Sequence, residues 1–213
     1  MCGIAGIIHR DGPSDMGVEI TKMLQSMKHR GPDSTGYALY SEPDDLVTIR
    51  FMLAEPKEYG GFGIHERLER GRAEVESRLA KIGADLATIH SDTGYAFRAT
   101  VRYDGDLKPL ADYLEDIPGC KVLSLGNSLE IIKDLGDAIT VQEQYSLAGI
   151  RGTHGIGHVR MATESDVDLA SAHPYWAYPF ADVAVVHNGQ LTNYHQWRRR
   201  LERSGHRFQS ECD

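Results

Sequence analysis

A chain of 213 residues with 41% hydrophobic and 25% charged residues can bury one substantial core with an insertion, or two small ones. A formal net charge of -8 argues against a general phosphate-backbone binder, which needs dense Lys and Arg, so no nucleic-acid partner is expected. Three cysteines, Cys2, Cys120 and Cys212, form no CxxC pair and leave an odd one, and no apolar run approaches the ~18 residues of a membrane span, so a soluble cytoplasmic protein without disulfides, leader or membrane partner is expected.

Residues 2–8 read as a short buried strand ended by the Asp11-Gly12-Pro13 turn signal. Ser14 or Asp15 can cap a helix whose apolar positions are Val18, Ile20, Met23, Leu24 and Met27. Strands are predicted over 37–40 and 46–53, followed by a Gly-rich stretch at 60–63. From 66 to 86, charge alternates densely with Leu, Val and Ile, which predicts an exposed amphipathic helix opening an insertion. Within the insertion, a strand is predicted over 95–103, a helix over 107–114, a strand over 120–125, a helix over 129–135 and a strand over 138–141. Such a β-α-β-α-β run is expected to form a small α/β unit of its own, residues 60–150, packed at the periphery as a structural or partner-docking insert. Beyond it, strands are predicted over 155–161 and 181–187 and a basic-faced helix over 191–203.

Four strings can carry chemistry. The first is Met1-Cys2-Gly3-Ile4-Ala5-Gly6-Ile7: with Met1 removed, the α-amine of Cys2, titrating at roughly 7.7 to 8.0, can take the proton from its own thiol. A buried cysteine in an apolar strand is the plain alternative. The second, His29-Arg30-Gly31-Pro32-Asp33-Ser34-Thr35-Gly36, is on its own a helix stop followed by a Pro-Asp turn. In the third, Gly157-His158-Val159-Arg160-Met161-Ala162-Thr163, an Arg in an apolar strand needs an anionic partner, and its planar fork matches a carboxylate. The fourth, His187-Asn188-Gly189, is either a type I′ turn or a pair of donors for a tetrahedral oxyanion, and the two readings are compatible. His154 and His158 are spaced like helical metal ligands, but glycines at 152, 155 and 157 oppose a helix, so no metal or other cofactor is expected.

Together these strings resemble the class II glutamine amidotransferases, members of the N-terminal nucleophile (Ntn) hydrolases. The family order of Cys-Gly-Ile, HRGPDS-like, GHxRxAT and HNG strings is kept, and Phe208, Ser210 and Asp213 match a fifth F-x-S-x-x-D pattern. The resemblance implies an α+β fold, a four-layer αββα sandwich, carrying the inserted α/β unit. It implies that Cys2 attacks the glutamine carboxamide, that Asn188 and the Gly189 N–H hold the oxyanion, and that water resolves the glutamyl thioester to glutamate and ammonia. Arg160, helped by Thr163, would clamp the substrate carboxylate, and Asp213 would pair with its ammonium. Arg30 and His187 would belong to the substrate pocket.

The long insert, with GHVR and AHP-like strings after it, looks closest to glutamate synthase-type glutaminases and the amidotransferase subunit of N-methylglutamate synthase. That implies a separate synthase chain as partner, receiving ammonia. Two departures stand out: Met161 replaces the family's usual aromatic after the arginine, and residues 1–213 end at the aspartate where the family's domain continues. The competing readings are a non-catalytic scaffold that binds glutamine or a synthase, and an amidohydrolase of the same fold acting on other amides. The second leaves a paired Arg and Asp without a purpose.

Overall fold

In the computed structural model, which describes residues 2–161, 168–208 and 210, the apolar opening forms strand β1 (Gly3–Ile8). Its partner in space comes from far along the chain: β8 (His154–Arg160), with Gly3 opposite Val159 and Ile7 opposite Gly155. β2 (Ser34–Tyr40) pairs with the other edge of β8, and β7 (Leu129–Leu135) with β2, so the first sheet runs β1-β8-β2-β7, antiparallel throughout. Helices α1 (Met16–Ser26) and α4 (Ala138–Gln144) pack on one of its faces. The apolar pattern of α1 lands on Met16, Ile20 and Leu24, whereas the expected Val18 and Met23 fall off the buried face. Gly157 is small because α1 lies directly on it: a Cβ there would meet Leu24 Cδ1 at 2.7 Å.

The second sheet runs β4-β5-β3-β6, again antiparallel, from β4 (Asp85–Ser91), β5 (Ala96–Arg102), β3 (Val47–Met52) and β6 (Lys121–Gly126). Helices α2 (Ile64–Lys81) and α3 (Leu107–Glu115) lie against it. β7 of the first sheet packs on β3 and β6 of the second. One buried cluster runs through both sheets and their helices, from Ile20 and Tyr37 to Phe51, Leu79, Leu110 and Val141. The architecture is therefore α+β with antiparallel sheets.

Several expectations are corrected. Residues 129–135, expected as a helix, form β7, and 138–141, expected as a strand, open α4. A short apolar run satisfies either period; here the Ile131-Ile132 pair suits a pleated strand and both edges of β2 need partners. Asp137 is the missed helix start: its Oδ1 accepts the Thr140 N–H at 3.0 Å. The helix expected to reach 86 stops at Lys81, and 85–91 turn into β4, an exposed edge strand. Residues 60–150 do not build a sheet of their own, because β5 and β6 flank β3 while β7 joins β2. The C-terminal part contributes β9 (Tyr175–Trp176), β10 (Ala184–Val185), a far shorter strand than expected, and α5 (Tyr194–Arg203). No described helix is long and apolar enough to cross a membrane.

Candidate active site

The pairing of β1 with β8 brings Cys2 and Arg160 to one end of the first sheet, each one residue beyond the Gly3–Val159 pair. The Cys2 thiol is half-buried and points to the Met161 carbonyl, with Sγ 3.9 Å from that oxygen. Asn188 also reaches Cys2: its Nδ2 donates to the Cys2 carbonyl at 3.2 Å, closing a contact across 186 residues. Asn188 and Gly189 are themselves exposed, so the amide sits at the mouth of the site. Cys2 is thus engaged twice, its carbonyl by the Asn188 amide and its thiol by the Met161 carbonyl.

Arg160 is buried, and the turn before β2 packs on the backbone beside it. Gly31 makes this possible: a Cβ there would fall 2.5 Å from the Val159 carbonyl carbon and 2.6 Å from the Arg160 nitrogen. The Asp33 N–H closes the turn onto the Arg160 carbonyl at 3.1 Å. Arg30 stands on the 3₁₀ turn Lys28–Arg30 that precedes this glycine, half-buried, and among the described residues it makes no ion pair. The HRGPDS string therefore supports the arginine strand through its backbone.

Side chains opposite one another in a sheet share a face, so Arg160, His158, Ser34 and Lys133 lie together on the face opposite to the one covered by α1. Among the described residues, Ser34 Oγ and His187 Nε2 are buried without a hydrogen-bond partner, and the buried His158 ring has no partner of good geometry, with only the His187 backbone near it. Unsatisfied buried polar atoms are rare enough to mark a site that takes a ligand or water. Burial, with the Arg160 charge adding to it, pulls His158 down to about 4, although the His187 backbone opposes this. Burial likewise brings His173 to about 3, with His158, Lys133 and Arg160 contributing. Both rings are neutral at ordinary pH.

Next to this face lies a cavity of about 430 Å³ lined by Lys133, His173, Tyr175, His187 and Phe208 among others. The beginning of the F-x-S-x-x-D pattern reaches it: Tyr175 Oη and Ser210 Oγ are 3.1 Å apart, and Arg198 stacks over Phe208 at 5.0 Å. Thr163 and Asp213, expected to help bind the substrate carboxylate and ammonium, lie outside the described residues. Cys2, Arg160 and the His187–Gly189 string are brought together, while Arg30 stays at the supporting turn. Residue patterns marked His173 only within the AHP-like string, with no role at the site, and did not single out Lys133; a Lys inside the apolar run 129–135 was the available signal. Among the described residues, no group of three or more His, Cys, Asp and Glu side chains is arranged to hold a metal.

Comparison with known proteins gives a consistent answer. No family model matches the chain. The whole chain is 38% identical over 221 residues to a glutamine amidotransferase of Methanothermobacter thermautotrophicus, spanning 69% of that protein's length. It is also 31% identical over 216 residues to the glutamine amidotransferase-like protein GlxB of Rhizobium meliloti, spanning 66% of it. A shorter match, 41% over 85 residues, or 40% of this chain and 14% of the relative, is to the glutamine–fructose-6-phosphate aminotransferase of Methanothermobacter thermautotrophicus. The chain belongs to the glutamine amidotransferases and is an enzyme of that class.

Proposed function

We propose that the protein hydrolyses glutamine to glutamate and ammonia through a thioester on Cys2, in the four-layer αββα sandwich of the Ntn hydrolases. The observation that carries this reading is the convergence of Cys2, Arg160 and Asn188 from three distant parts of the chain at one sheet end. With a free N-terminus, the Cys2 amine takes the thiol proton as Sγ adds to the carboxamide carbon, and returns it to the departing ammonia. The Asn188 amide turns from the Cys2 carbonyl to the developing oxyanion, together with the Gly189 N–H. Arg160 and Thr163 hold the substrate carboxylate, Asp213 its ammonium, and His187 and Arg30 shape the pocket. Water then cleaves the thioester, releasing glutamate.

Residues 1–213 act as one amidotransferase domain, with 60–150 as its inserted part. The ammonia passes to a glutamate synthase-like partner that performs the acceptor chemistry. Work in a reducing cytoplasm fits the free thiols of Cys2 and the buried Cys120. The test is glutaminase activity of protein whose mass shows a free Cys2 amine, beside the Cys2→Ala variant. Ammonia release that disappears in Cys2→Ala, with glutamine binding kept, supports the reading. Turnover that survives Cys2→Ala, or a processed protein that binds glutamine without hydrolysing it, overturns it; the latter outcome identifies a scaffold.

A further inference from the structure

Lys133 is buried in the middle of β7 and has no role in the chemistry above. Taking an ammonium out of water costs several kcal/mol unless its donors find partners, so an apolar residue would be the economical choice for a strand that only fills the core. Its Nζ donates to the Ala172 carbonyl at 2.7 Å and stands 4.8 Å from the centre of the Tyr175 ring, within cation–π range. Those two contacts bracket His173 and Pro174.

The same short segment is pressed onto the sheet from above. Gly36 in β2 has Lys133 as its register partner on one side and His158 on the other. A Cβ at Gly36 would fall 2.0 Å from the His173 carbonyl oxygen and 2.9 Å from the Pro174 ring, so the segment crosses β2 in direct backbone contact. Lys133 on β7 thereby anchors one side of the crossing. On the other side, the His173 ring centre rests 4.7 Å from that of His158, and His173 and Tyr175 pack edge to face with centres 4.6 Å apart. His158 lies two residues before Arg160 on the same face of β8.

We propose that Lys133 is a positioning residue for the glutamine site: by gripping the Ala172 carbonyl and the Tyr175 ring it fixes the crossing segment, and so holds His173 as a wall beside Arg160. The inference rests on the glutamine-hydrolysis reading given above. Lys133 is too far down β7 to share the sheet end with Cys2, so its effect falls on substrate placement and leaves the nucleophile alone. Loosening the segment lets the pocket wall drift from the Arg160 fork, which weakens glutamine binding more than it slows the bond-making step.

The experiment uses the full chain with a free Cys2 amine, verified by mass, as unmodified protein and as Lys133→Met and Lys133→Arg. Met keeps most of the apolar stem and removes the donors; Arg restores a cation and a donor. Three quantities are read: KM and kcat for glutamine, the rate of Cys2 alkylation by iodoacetamide followed by peptide mass, and the thermal midpoint. Lys133→Met is expected to raise KM by about tenfold to a hundredfold, the worth of a hydrogen bond from a charged donor. Its kcat should change far less, its alkylation rate should match the unmodified protein, and Lys133→Arg should recover part of the lost affinity. An active enzyme whose KM is unmoved by Lys133→Met overturns the inference. So does a variant in which KM, kcat, alkylation and thermal midpoint all deteriorate together, since that assigns Lys133 to folding alone. Absence of turnover in the unmodified protein is a separate result: it removes the hydrolysis reading, and this inference with it.

Discussion

At the scale of single residues, the site depends on groups that combine two duties or leave room for a neighbour. Cys2 would carry nucleophile and base together, so acetylating its amine, or leaving Met1 attached, should lower turnover by about 10² to 10⁴-fold, the usual worth of acid–base assistance. Comparing the two forms by mass and ammonia release checks this, and equal rates would contradict it. The pH profile of kcat/KM should report apparent values belonging to the coupled amine and thiol as a pair. Arg160 offers a planar fork that Lys lacks, so Arg160→Lys should raise KM for glutamine by about tenfold or more while kcat changes less. Gly31 is demanding for a steric reason. Gly31→Ala drives a methyl into the Val159–Arg160 backbone and should cost roughly 1 to 3 kcal/mol in urea unfolding, with activity falling as the arginine strand shifts.

Among the elements, β7 joins the two sheets through charge as well as apolar packing. Glu130 on β7 accepts from Arg50 Nε at 2.7 Å and from Arg98 Nε at 2.8 Å, and Arg50 also pairs with Asp92. Burial pushes the Glu130 carboxyl up, but Arg50 and Arg98 outweigh it and hold the group below the usual carboxylate range. A depressed folded value means the stabilisation is present above the unfolded value near 4.5 and is lost as pH falls through the folded one. Glu130→Gln leaves the buried Arg50 and the half-buried Arg98 without their shared anion and should cost about 3 kcal/mol. Urea midpoints at pH 7 measure this, and a change within error would show that water or Asp92 compensates. Asp134, four residues further along and on the same face of β7, accepts from Tyr95 Oη at 2.6 Å and Tyr145 Oη at 2.8 Å, tying the residue before β5 and the one after α4 to this strand. Burial raises Asp134 in spite of these bonds, so it offsets part of what Glu130 contributes at neutral pH.

For the molecule as a whole, the buried histidines set an acid limit. His158 and His173 are lowered from 6.5 to about 4 and about 3, chiefly by burial. The unfolded chain therefore binds protons that the folded one refuses, and stability falls as pH drops below about 6.5, levelling off only near the folded values. Two such groups give a slope of at most about 2.7 kcal/mol per pH unit. Urea unfolding at pH 7, 6 and 5 should show the decline, and a flat response across that range would mean the rings are reached by water. Because residues 60–150 supply strands to both sheets, unfolding should be one cooperative transition, seen alike by far-UV signal and tryptophan fluorescence.

The sequence by itself determined the local pieces of this enzyme. Cysteine with its own amine, a fork-shaped cation in an apolar strand and an amide beside a bare glycine are chemical properties of neighbouring residues, so Cys2, Arg160, Asn188 and Gly189 could be named as candidates without coordinates. Helices with a clear period, such as α2 and α3, were legible for the same reason, as were β1, β5, β6 and β8. Tertiary structure alone decided the identities of 129–135 and 138–141, because seven apolar-rich residues fit either period until β2 offers an unpaired edge. It also placed Lys133 and His173 beside the sheet face that carries Arg160, since a crossing of 172–175 over Gly36 joins residues with no relation along the chain. The physical reason is the same in both cases: hydrogen-bonding edges and buried charges are satisfied by partners about 40 to 160 residues away, and only the packed molecule says which partner arrives.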